Sequence, residues 1–243
     1  HAAQLDVRVS VTDPQLDARI NLLGLLNLLE GARRGGVQRV VFASSGGVVY
    51  GEACEPPHTE TAPKLPVSPY GVSKLASEYY LTAYAQLYGL EVVSLRYSNV
   101  YGPRQNPHGE AGVVAIFAER VGRGRALTVY GDGAQTRDYV YVGDVSRANL
   151  AATTWRVPVI DSIDAVAFNI ATQSETSVNT LASMMIDAAG ASVPVEHAPA
   201  RAGELLRNAL LIDKAARELG WRPSMRLADG LKRTYEWIRE AAA

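Results

Sequence analysis

The stretch Ser68-Pro69-Tyr70-Gly71-Val72-Ser73-Lys74 opens a helical pattern that reaches Tyr88. Pro69 favours a helix start, because its fixed φ and its missing N–H suit the first turn. Apolar and aromatic side chains then recur at helical spacing. Tyr70 and Lys74 are therefore predicted to lie one turn apart on the same face of a helix.

A lysine beside a tyrosine can turn the phenol into a general base. The tyrosine pKa must then fall from about 10 toward about 7, which takes about 4 kcal/mol of differential stabilisation. An exposed ion pair supplies at most about 1 kcal/mol, so the pair needs a partly buried site and preferably a second positive charge. On spacing alone, two ordinary surface residues are the commoner outcome.

Two other stretches supply the context that this spacing lacks. Upstream, a β-branched run ends in serines and glycines, Val40-Val41-Phe42-Ala43-Ser44-Ser45-Gly46-Gly47-Val48-Val49-Tyr50-Gly51. Downstream, a second run reads Leu95-Arg96-Tyr97-Ser98-Asn99-Val100-Tyr101-Gly102-Pro103-Arg104. With Tyr70 and Lys74, these stretches resemble the extended short-chain dehydrogenase/reductase family and, within it, the nucleotide-sugar 4-epimerases of the UDP-glucose type. The resemblance extends over nearly the whole chain.

The resemblance implies an α/β fold with two parts. A Rossmann-like doubly wound parallel sheet, incomplete in its N-terminal half, would join a smaller α+β substrate-binding domain. Residues 1–102 would form the C-terminal part of the NAD-binding domain and carry the Tyr-x-x-x-Lys helix. Residues 103–243 would mainly bind the nucleotide-sugar, with some segments returning to the first domain. Residues 39–43 also have the β-branched character of a buried parallel strand in their own right.

The start of the chain departs from the family pattern. It begins at His1 without a methionine, and no glycine fingerprint for a dinucleotide pyrophosphate occurs nearby. By the resemblance, about 60 to 70 residues, or two βαβ units, would precede it. Three explanations are open: an uncounted disordered segment, a truncated chain and a natural remnant. A chain starting in mid-strand would expose a wide sheet edge, which makes the first explanation physically easier than the last.

The resemblance implies hydride chemistry with NAD as cofactor. The Tyr70 phenolate would remove the O4 proton of the sugar while hydride passes from C4 to NAD. Lys74 would hold the nicotinamide ribose and depress the tyrosine pKa, and the nicotinamide would supply a second positive charge. The family's catalytic Ser or Thr falls at Gly46, counted back from Val49-Tyr50-Gly51. Because glycine permits unusual backbone paths, Ser45 is the candidate for this role; capping the turn after the strand is its ordinary alternative.

The resemblance also assigns binding residues along the chain. Asn21, which with Gly24 matches an Asn-x-x-Gly pattern, would lie near the cofactor, or else would cap a helix kink. The implied cofactor-binding set is Ala2, Ala3, Asn21, Ser44, Tyr70, Lys74 and Tyr97. The implied substrate-binding set is Asn99, Val113, Tyr130, Arg137, Arg201 and Glu204. Glu204 stands where the family has an aspartate that holds ribose hydroxyls.

Several substrate residues have chemistry that suits a UDP-hexose. Arg137 and Arg201 suit the diphosphate, because a guanidinium can pair with two oxygens at once. Asn99 can donate to phosphate oxygens without leaving an unpaired charge in an empty site. Tyr130 would lie against the uracil. Each also has an ordinary alternative: a turn for Asn99, a local ion pair with Asp138 for Arg137, and the core for Tyr130.

A second helix is predicted to begin at Thr12-Asp13-Pro14 and to end at Gly35-Gly36. Its apolar residues cover a wide face: Leu16, Ile20, Leu22, Leu23, Leu25, Leu26 and Leu29. A sheet can cover one side of this face. The resemblance implies that the other side is covered in a homodimer, through a four-helix bundle built from this helix and the Tyr70 helix of each subunit. Burial entirely within one subunit is the alternative.

Composition narrows the classes of function. The hydrophobic content of 47% and charged content of 20% are ordinary for a globular protein, and the net charge of -1 gives no general attraction to nucleic acid or an anionic membrane. No apolar run approaches the roughly 20 residues that span a bilayer. Cys54 is the single cysteine, which rules out an internal disulfide and fits the reducing cytoplasm. The four histidines lack ligand spacing, so no metal site is expected.

Two rival functions remain open. A nucleotide-sugar dehydratase or decarboxylase shares the fold, but the dehydratases carry an Asp-Glu pair where this chain has Gly46-Gly47. A non-catalytic nucleotide-sugar-binding remnant would follow if the N-terminal part is truly missing, because hydride chemistry needs a bound cofactor. The presence of Tyr70 and Lys74 weighs against the remnant. The identity of the hexose, the tolerance of an N-acetyl group and the nucleotide base are left open.

Overall fold

A computed structural model describes residues 3–52, 54–107, 112–200 and 205–241. The chain divides into two compact units. The first comes from His1–Tyr97, Arg147–Ile170 and Leu210–Trp221, and the second from Ser98–Ser146, Ala171–Ala209 and Arg222–Ala243. The first break thus follows Tyr97, shortly before the boundary expected at residue 102, and two later segments return to the first unit.

The helices and strands follow one another along both units. The helices are α1 (Val7–Thr12), α2 (Pro14–Ala18), a π-helical turn (Arg19–Leu23), α3 (Gly24–Arg34), α4 (Pro69–Tyr88), α5 (Val113–Gly122), α6 (Val142–Thr154), a 3-10 turn (Ile163–Val166), α7 (Val178–Ala189), α8 (Asp213–Glu218) and α9 (Leu227–Ala241). The strands are β1 (Arg39–Ser45), β2 (Glu91–Tyr97), β3 (Asn99–Tyr101), β4 (Leu127–Tyr130), β5 (Thr136–Tyr141), β6 (Ala167–Ile170), β7 (Glu175–Ser177) and β8 (Val195–Ala198).

The first unit contains a parallel sheet in the order β1-β2-β6. Residues 92–96 of β2 are all buried, as expected for a strand covered on both faces. The register pairs Ser45 with Tyr97, so β1 and β2 end together. Polar residues at this shared carboxyl edge lie where a parallel α/β sheet places its ligands.

The segment from Pro14 to Arg34 forms one continuous helical run in three parts. Asp13 caps its start by accepting a hydrogen bond from the Leu16 N–H at 2.8 Å, and Gly35 ends it, as predicted. In the middle, the N–H of Gly24 donates to the carbonyl of Arg19, five residues back, which widens one turn into a π-helix.

This helical run buries only part of its apolar face within the first unit. Leu25 and Leu29 join Leu81 of α4 in a core cluster that also contains Leu90 and Val92. Other apolar side chains on the same run remain exposed, namely Ile20, Leu23 and Leu28. The predicted second apolar surface is therefore present and lies open in the single chain.

Helix α4 begins and ends as its sequence predicts. The Ser68 hydroxyl accepts a hydrogen bond from the Gly71 N–H at 3.2 Å, and Pro69 occupies the first turn. Gly89 ends the helix with φ of 70°, in the left-handed region that suits glycine. The proline-rich stretch before α4 is ordered by two bridges, Gly51 to Leu65 and His58 to Leu210.

The second unit holds two smaller sheets and three packed helices. Strand β5 pairs with β3 in parallel and with β7 in antiparallel fashion, and β4 pairs with β8 in parallel. One apolar core joins α5, α7 and α9 to these strands, with Phe117, Leu127, Leu181, Met185 and Leu231 among its buried members. This mixture of parallel and antiparallel pairs matches the α+β character expected for the smaller domain.

Candidate active site

Lysine 74 connects α4 to the carboxyl edge of the parallel sheet. Its Nζ donates a hydrogen bond to the carbonyl of Ala43, near the end of β1, at 2.9 Å. The same atom lies 4.9 Å from the ring centroid of Phe42 and 5.6 Å from that of Tyr70. Tyr70 and Lys74 are thus one turn apart on the same face of α4, as predicted.

The ammonium of Lys74 is buried with few partners. Burial lowers its pKa to about 8, while the charges of Asp17 and Glu78 act in the opposite direction. Among the described residues, one acceptor, the Ala43 carbonyl, takes a hydrogen bond from this group. An ammonium has three N–H donors, so two remain for another ligand. This donor set fits the vicinal hydroxyls of a ribose, such as that of a nicotinamide dinucleotide.

Tyrosine 70 is close to Ser45, the serine proposed from the sequence. Burial raises the pKa of Tyr70 to about 12, the charge of Asp17 raises it further, and a side-chain hydrogen bond with Ser45 lowers it. In this structure the effect of burial dominates, and the ammonium of Lys74 lies against the Tyr70 ring. The expectation that Lys74 depresses this pKa in the site with its cofactor stays a prediction. The protein groups alone leave Tyr70 protonated at neutral pH.

The turn after β1 explains why Ser45 rather than Gly46 carries the hydroxyl. Gly46 is buried, and its N–H donates to the carbonyl of Tyr97 at 2.8 Å. A Cβ atom on Gly46 would collide with Cδ1 of Leu210 and would lie 3.2 Å from the Arg96 carbonyl. No side chain fits at Gly46 unless the fully buried Leu210 moves. The serine one position earlier is the one that reaches Tyr70.

Asn21 lies in the π-helical turn, and its amide is already occupied. Its Nδ2 donates to the Gln4 carbonyl and to Oδ1 of Asp17, both at 2.9 Å. Its Oδ1 accepts from the Gln4 N–H at 3.1 Å. These contacts fix the backbone that follows Ala3, which is itself exposed. Asn21 therefore positions the chain entering the site, while a direct contact with the cofactor stays a prediction.

Two other proposed cofactor residues point into buried networks. The Ser44 hydroxyl donates to Oε1 of Glu78 at 2.5 Å, and Glu78 forms a fully buried ion pair with Arg96 at 2.6 Å. The Tyr97 hydroxyl exchanges hydrogen bonds with the amide of Asn149 at 2.8 and 3.1 Å. Burial raises the pKa of Tyr97 to about 12. In this structure the Ser44 and Tyr97 hydroxyls therefore bind to protein groups and stabilise the carboxyl edge of the parallel sheet.

The buried arginine also anchors the proline-rich stretch. Arg96 donates to the Glu60 carbonyl at 2.8 Å and to the Tyr50 hydroxyl at 3.0 Å, and it pairs with Asp164 at 2.8 Å. Lys64 forms a second ion pair with Asp164 at 2.5 Å. The sequence analysis missed this network, because its members are dispersed along the chain and share no motif.

Asp17, Ser73 and Ser10 were also missed, although they contact the turn that carries Tyr70 and Lys74. The Ser73 hydroxyl donates to Oδ2 of Asp17 at 2.6 Å, and the Tyr70 N–H donates to the Ser10 hydroxyl at 3.1 Å. All three side chains are buried. A carboxylate four residues before Asn21 was the available signal, but nothing in the periodicity indicated that it is buried.

Four of the proposed substrate residues lie in the described part of the second unit. The register pairs Asn99 of β3 with Tyr139 of β5, so Asn99 and Arg137 share one side of neighbouring parallel strands. Asn99 is exposed and Arg137 half-buried. The Asp138 carboxylate accepts hydrogen bonds from the backbone of Thr172 and Gln173, both at 2.8 Å.

Tyr130 and Val113 occupy element ends in the same unit. Tyr130 is the last residue of β4, in which Leu127 and Val129 are buried and Thr128 and Tyr130 are half-buried. The alternation places Tyr130 on the side of the strand away from the core. Val113 is the first residue of α5. Three other proposed residues, Ala2, Arg201 and Glu204, lie outside the described residues.

The part of the chain that the structure describes contains neither a metal-site cluster nor a membrane-spanning helix. No cluster of three or more His, Cys, Asp or Glu side chains has the arrangement of a metal site. None of the described helices is long and apolar enough to cross a membrane.

Comparison with known proteins matches residues 1–171 to the NAD dependent epimerase/dehydratase family. A UDP-glucose 4-epimerase of Mycolicibacterium smegmatis is 44% identical over 238 residues, which is 98% of this chain and 74% of that protein. The crystal structure of a Thermus thermophilus UDP-glucose 4-epimerase in complex with NAD is similar with a TM-score of 0.90 and 47% identity, covering 99% of this chain and 76% of that one. A dTDP-glucose 4,6-dehydratase of Streptomyces antibioticus is 34% identical over 244 residues, 100% of this chain and 70% of that protein.

Proposed function

The chain belongs to the NAD dependent epimerase/dehydratase family, and from this premise we propose that it interconverts the C4 epimers of a nucleotide-linked hexose, of the UDP-glucose and UDP-galactose type. The observation that carries the proposal is the group formed by Tyr70, Ser45 and Lys74 at the carboxyl edge of the parallel sheet. Bound NAD supplies the hydride acceptor and donor for C4 of the sugar.

Tyr70 is the residue that moves the proton. With its pKa near 12, the phenol gives up its proton near neutral pH only when a positive charge lies beside it. An oxidised nicotinamide carries such a charge, and the buried site strengthens its effect. The phenolate then takes the O4 proton of the sugar, and it returns that proton after C4 has been reduced on its other face.

Ser45 and Lys74 hold the reacting groups in place. The Ser45 hydroxyl, hydrogen-bonded to Tyr70, bridges toward O4 and orients the proton that moves. The two unused N–H donors of Lys74 bind the nicotinamide ribose, while the Ala43 carbonyl fixes the direction of the ammonium. Both roles depend on side chains that leave α4 and β1 at the same sheet edge.

The nucleotide is held by the second unit in this proposal. Arg137 and Arg201 pair with the diphosphate, and Asn99 donates to its oxygens. Tyr130 and the first amides of α5, at Val113, face the base, and Glu204 accepts from the ribose hydroxyls. A firm grip on the nucleotide with few contacts to the sugar lets the 4-keto sugar turn over between the two hydride transfers.

The dehydratase alternative has less support. Elimination across C5 and C6 needs an additional acid and base, which the dehydratases of this family place after the serine or threonine. In this chain the two residues after Ser45, the candidate serine, are Gly46-Gly47, and Leu210 leaves no room for a side chain on Gly46. The similarity to the dehydratase is also lower than that to the epimerase, 34% against 44% identity.

We further propose that two copies of the chain form a homodimer through α3 and α4. Large apolar side chains are exposed on these helices and on the π-helical turn that precedes α3, including Leu23, Leu28, Tyr79 and Leu87. A contiguous exposed apolar surface marks an interaction site, and the proposal takes these side chains to form one. A second copy presents the same helices about a two-fold axis, which gives a four-helix bundle.

We place the protein in the cytoplasm. Its one cysteine, Cys54, is a free thiol in the structure and needs no oxidising compartment. Cell fractionation with an antibody against the chain tests this location, and recovery in an extracytoplasmic fraction would contradict it.

The reaction is tested by incubating the purified protein with NAD and UDP-galactose and following UDP-glucose by proton NMR. We expect turnover in the wild type and a loss of at least about 10³-fold in Tyr70→Phe. Binding of UDP, measured by calorimetry, should be nearly unchanged in this variant, because the phenol acts on the sugar. Tyr88→Phe is the matched control, since it removes an exposed hydroxyl from the same helix.

Two outcomes would contradict the proposal. A wild-type protein that binds NAD and UDP-galactose without forming UDP-glucose is not this epimerase. An equal loss of turnover and of UDP binding in Tyr70→Phe would show that the role given to Tyr70 is wrong.

A further inference from the structure

A buried carboxylate lies beside the catalytic turn and takes no part in the steps above. Asp17 of α2 is completely inaccessible to solvent. Its Oδ1 accepts hydrogen bonds from Nε2 of Gln4 at 3.0 Å and from Nδ2 of Asn21 at 2.9 Å, and its Oδ2 accepts from the Ser73 hydroxyl at 2.6 Å. All three donors are neutral. Within the described ranges, Asp17 forms no ion pair.

Such an arrangement is costly unless a positive charge lies nearby. A buried carboxylate loses most of its hydration, and three neutral donors replace only part of it. Its third donor, Ser73, immediately precedes Lys74 in the sequence. The ammonium of Lys74 is itself buried and has one hydrogen-bond acceptor among the described residues. Asp17 and Lys74 are therefore two buried opposite charges on packed helices, joined through Ser73.

Two other charged side chains on the elements around this turn, Glu78 and Arg8, are paired. Glu78 of α4 also acts on Lys74, but it forms an ion pair with Arg96 of β2 at 2.6 Å. In α1, which packs on α4, Arg8 lies 3.8 Å from Asp6. The contacts that α1 and β1 make with Tyr70 and Lys74 are neutral, through Ser10, Ala43 and Ser45. Among the described residues, Asp17 thus forms no ion pair, and its charge acts on both Tyr70 and Lys74.

We propose that Asp17 is a positioning residue of this site: through Ser73 it fixes the turn of α4 that carries Tyr70 and Lys74, and its charge keeps the Lys74 ammonium protonated at working pH. Consistent with this role, the Asp17 charge opposes the effect of burial on the pKa of Lys74. It also raises the pKa of Tyr70, so a neutral side chain at position 17 lowers the pKa of both groups. The effect of Asp17 on turnover rests on the proposed function. The electrostatic coupling between Asp17 and Lys74 is independent of that function.

The coupling is measurable in the protein without cofactor or substrate. The chain has four lysines, Lys64, Lys74, Lys214 and Lys232, so ¹³Cε-lysine labelling gives four NMR signals, which single Lys→Arg variants assign. Each signal is titrated against pH in the wild type and in Asp17→Asn. We expect the Lys74 midpoint to fall by at least about half a pH unit in the variant. Lys64 and Lys214 are half-buried and respond to other charges, so their midpoints should not move.

Two more variants complete the test. Asp161→Asn removes the same charge from an exposed position in the same unit and should leave the Lys74 midpoint unchanged. Asp17→Ser keeps an oxygen atom at this position and makes room for a water molecule. If Asp17→Asn does not fold, the same fall in the Lys74 midpoint is expected in Asp17→Ser. An unchanged Lys74 midpoint in whichever neutral variant folds overturns the proposal, as does an equal shift in Asp161→Asn.

Turnover then separates this proposal from the proposed function. In an active enzyme, the pH profile of kcat/KM should move to lower pH in the neutral variant. If the wild type has no epimerase activity while the Lys74 midpoint still falls in Asp17→Asn, the proposed function fails and the coupling stands. If the wild type is active and neither the midpoint nor the pH profile moves, the proposal for Asp17 fails alone.

Discussion

The backbone N–H of Tyr70 donates a hydrogen bond to the hydroxyl of Ser10, 3.1 Å away. Ser10 lies in α1 and is completely buried, and its hydroxyl also donates to the Val7 carbonyl at 2.6 Å. The first N–H groups of a helix have no partner within the helix. A short helix from an earlier part of the chain thus satisfies one of these groups at the catalytic residue.

Ser10→Ala should destabilise the protein by about 1 to 3 kcal/mol, because the half-buried Tyr70 N–H loses its hydrogen-bond partner. Urea unfolding at pH 7 measures this change. Thr12→Ala is the matched control, since Thr12 is exposed and its hydroxyl bonds only to carbonyls of its own helix. The control should change stability by at most about 0.5 kcal/mol. Equal effects of the two substitutions would contradict the role given to Ser10.

Gly46→Ala should cost about 1 to 3 kcal/mol, because the new Cβ collides with the buried Leu210. At Gly47 a Cβ would lie 3.7 Å from Oγ of Ser45, which is an ordinary contact, so Gly47→Ala should be tolerated. Thermal unfolding compares the two variants. Adding Leu210→Ala to Gly46→Ala should recover part of the loss relative to the sum of the single variants. Strict additivity would mean that Leu210 is not the obstacle.

Lys74→Met should show how the buried ammonium affects stability. The folded pKa of Lys74 is about 8 and its ordinary value is 10.5, so the unfolded chain binds the proton more tightly. Below pH 8 the wild type therefore bears the full free-energy cost of burying the Lys74 ammonium. As the pH rises toward 10.5, its stability increases. Relative to Lys74→Met, this gain should be about 3 kcal/mol. Urea unfolding of both proteins at pH 7 and pH 10.5 measures it, and a constant difference would contradict the lowered pKa.

Leu28→Arg should convert the proposed homodimer to a monomer, because a charged side chain replaces an exposed apolar one on α3. Sedimentation equilibrium gives the mass of the species in solution. Val159→Arg is the control, since Val159 is 91% exposed and lies outside α3 and α4. A monomeric wild type would rule out the dimer, and a dimer that survives Leu28→Arg would place the interface elsewhere.

Local sequence signals predicted the elements that position the site. Asp13 and Pro14, Ser68 and Pro69, and the glycines after each helix are local stop and start signals, and the structure confirms them. The family resemblance, the Rossmann-like α/β fold, the epimerase assignment and the NAD cofactor are likewise confirmed. The substrate contacts in the second unit stay predictions.

Interactions between distant parts of the chain were beyond such signals. Ser73 meets Asp17 across 56 positions, and Ser44 meets Glu78 across 34. The rise in the Tyr70 pKa caused by burial was also beyond such signals, because i to i+4 spacing indicates a neighbour but says nothing about the depth of burial. Desolvation depends on every element packed around the phenol, which a local pattern does not contain.

The π-helical turn Arg19–Leu23 sets the phase of its helix. Asp17, Asn21, Leu25 and Leu29 are all buried although they recur every fourth residue. In a regular α-helix that spacing drifts by about 40° per step, or about 120° from Asp17 to Leu29. The extra residue in the π turn takes back about 100° of this drift. Loss of a single codon there would remove this extra residue and leave a regular α-helix, in which Asp17 and Leu29, then 11 residues apart, would still be separated by about three full turns. The π turn thus lets the chain carry one additional residue between the carboxylate and the leucines while both stay on the buried face.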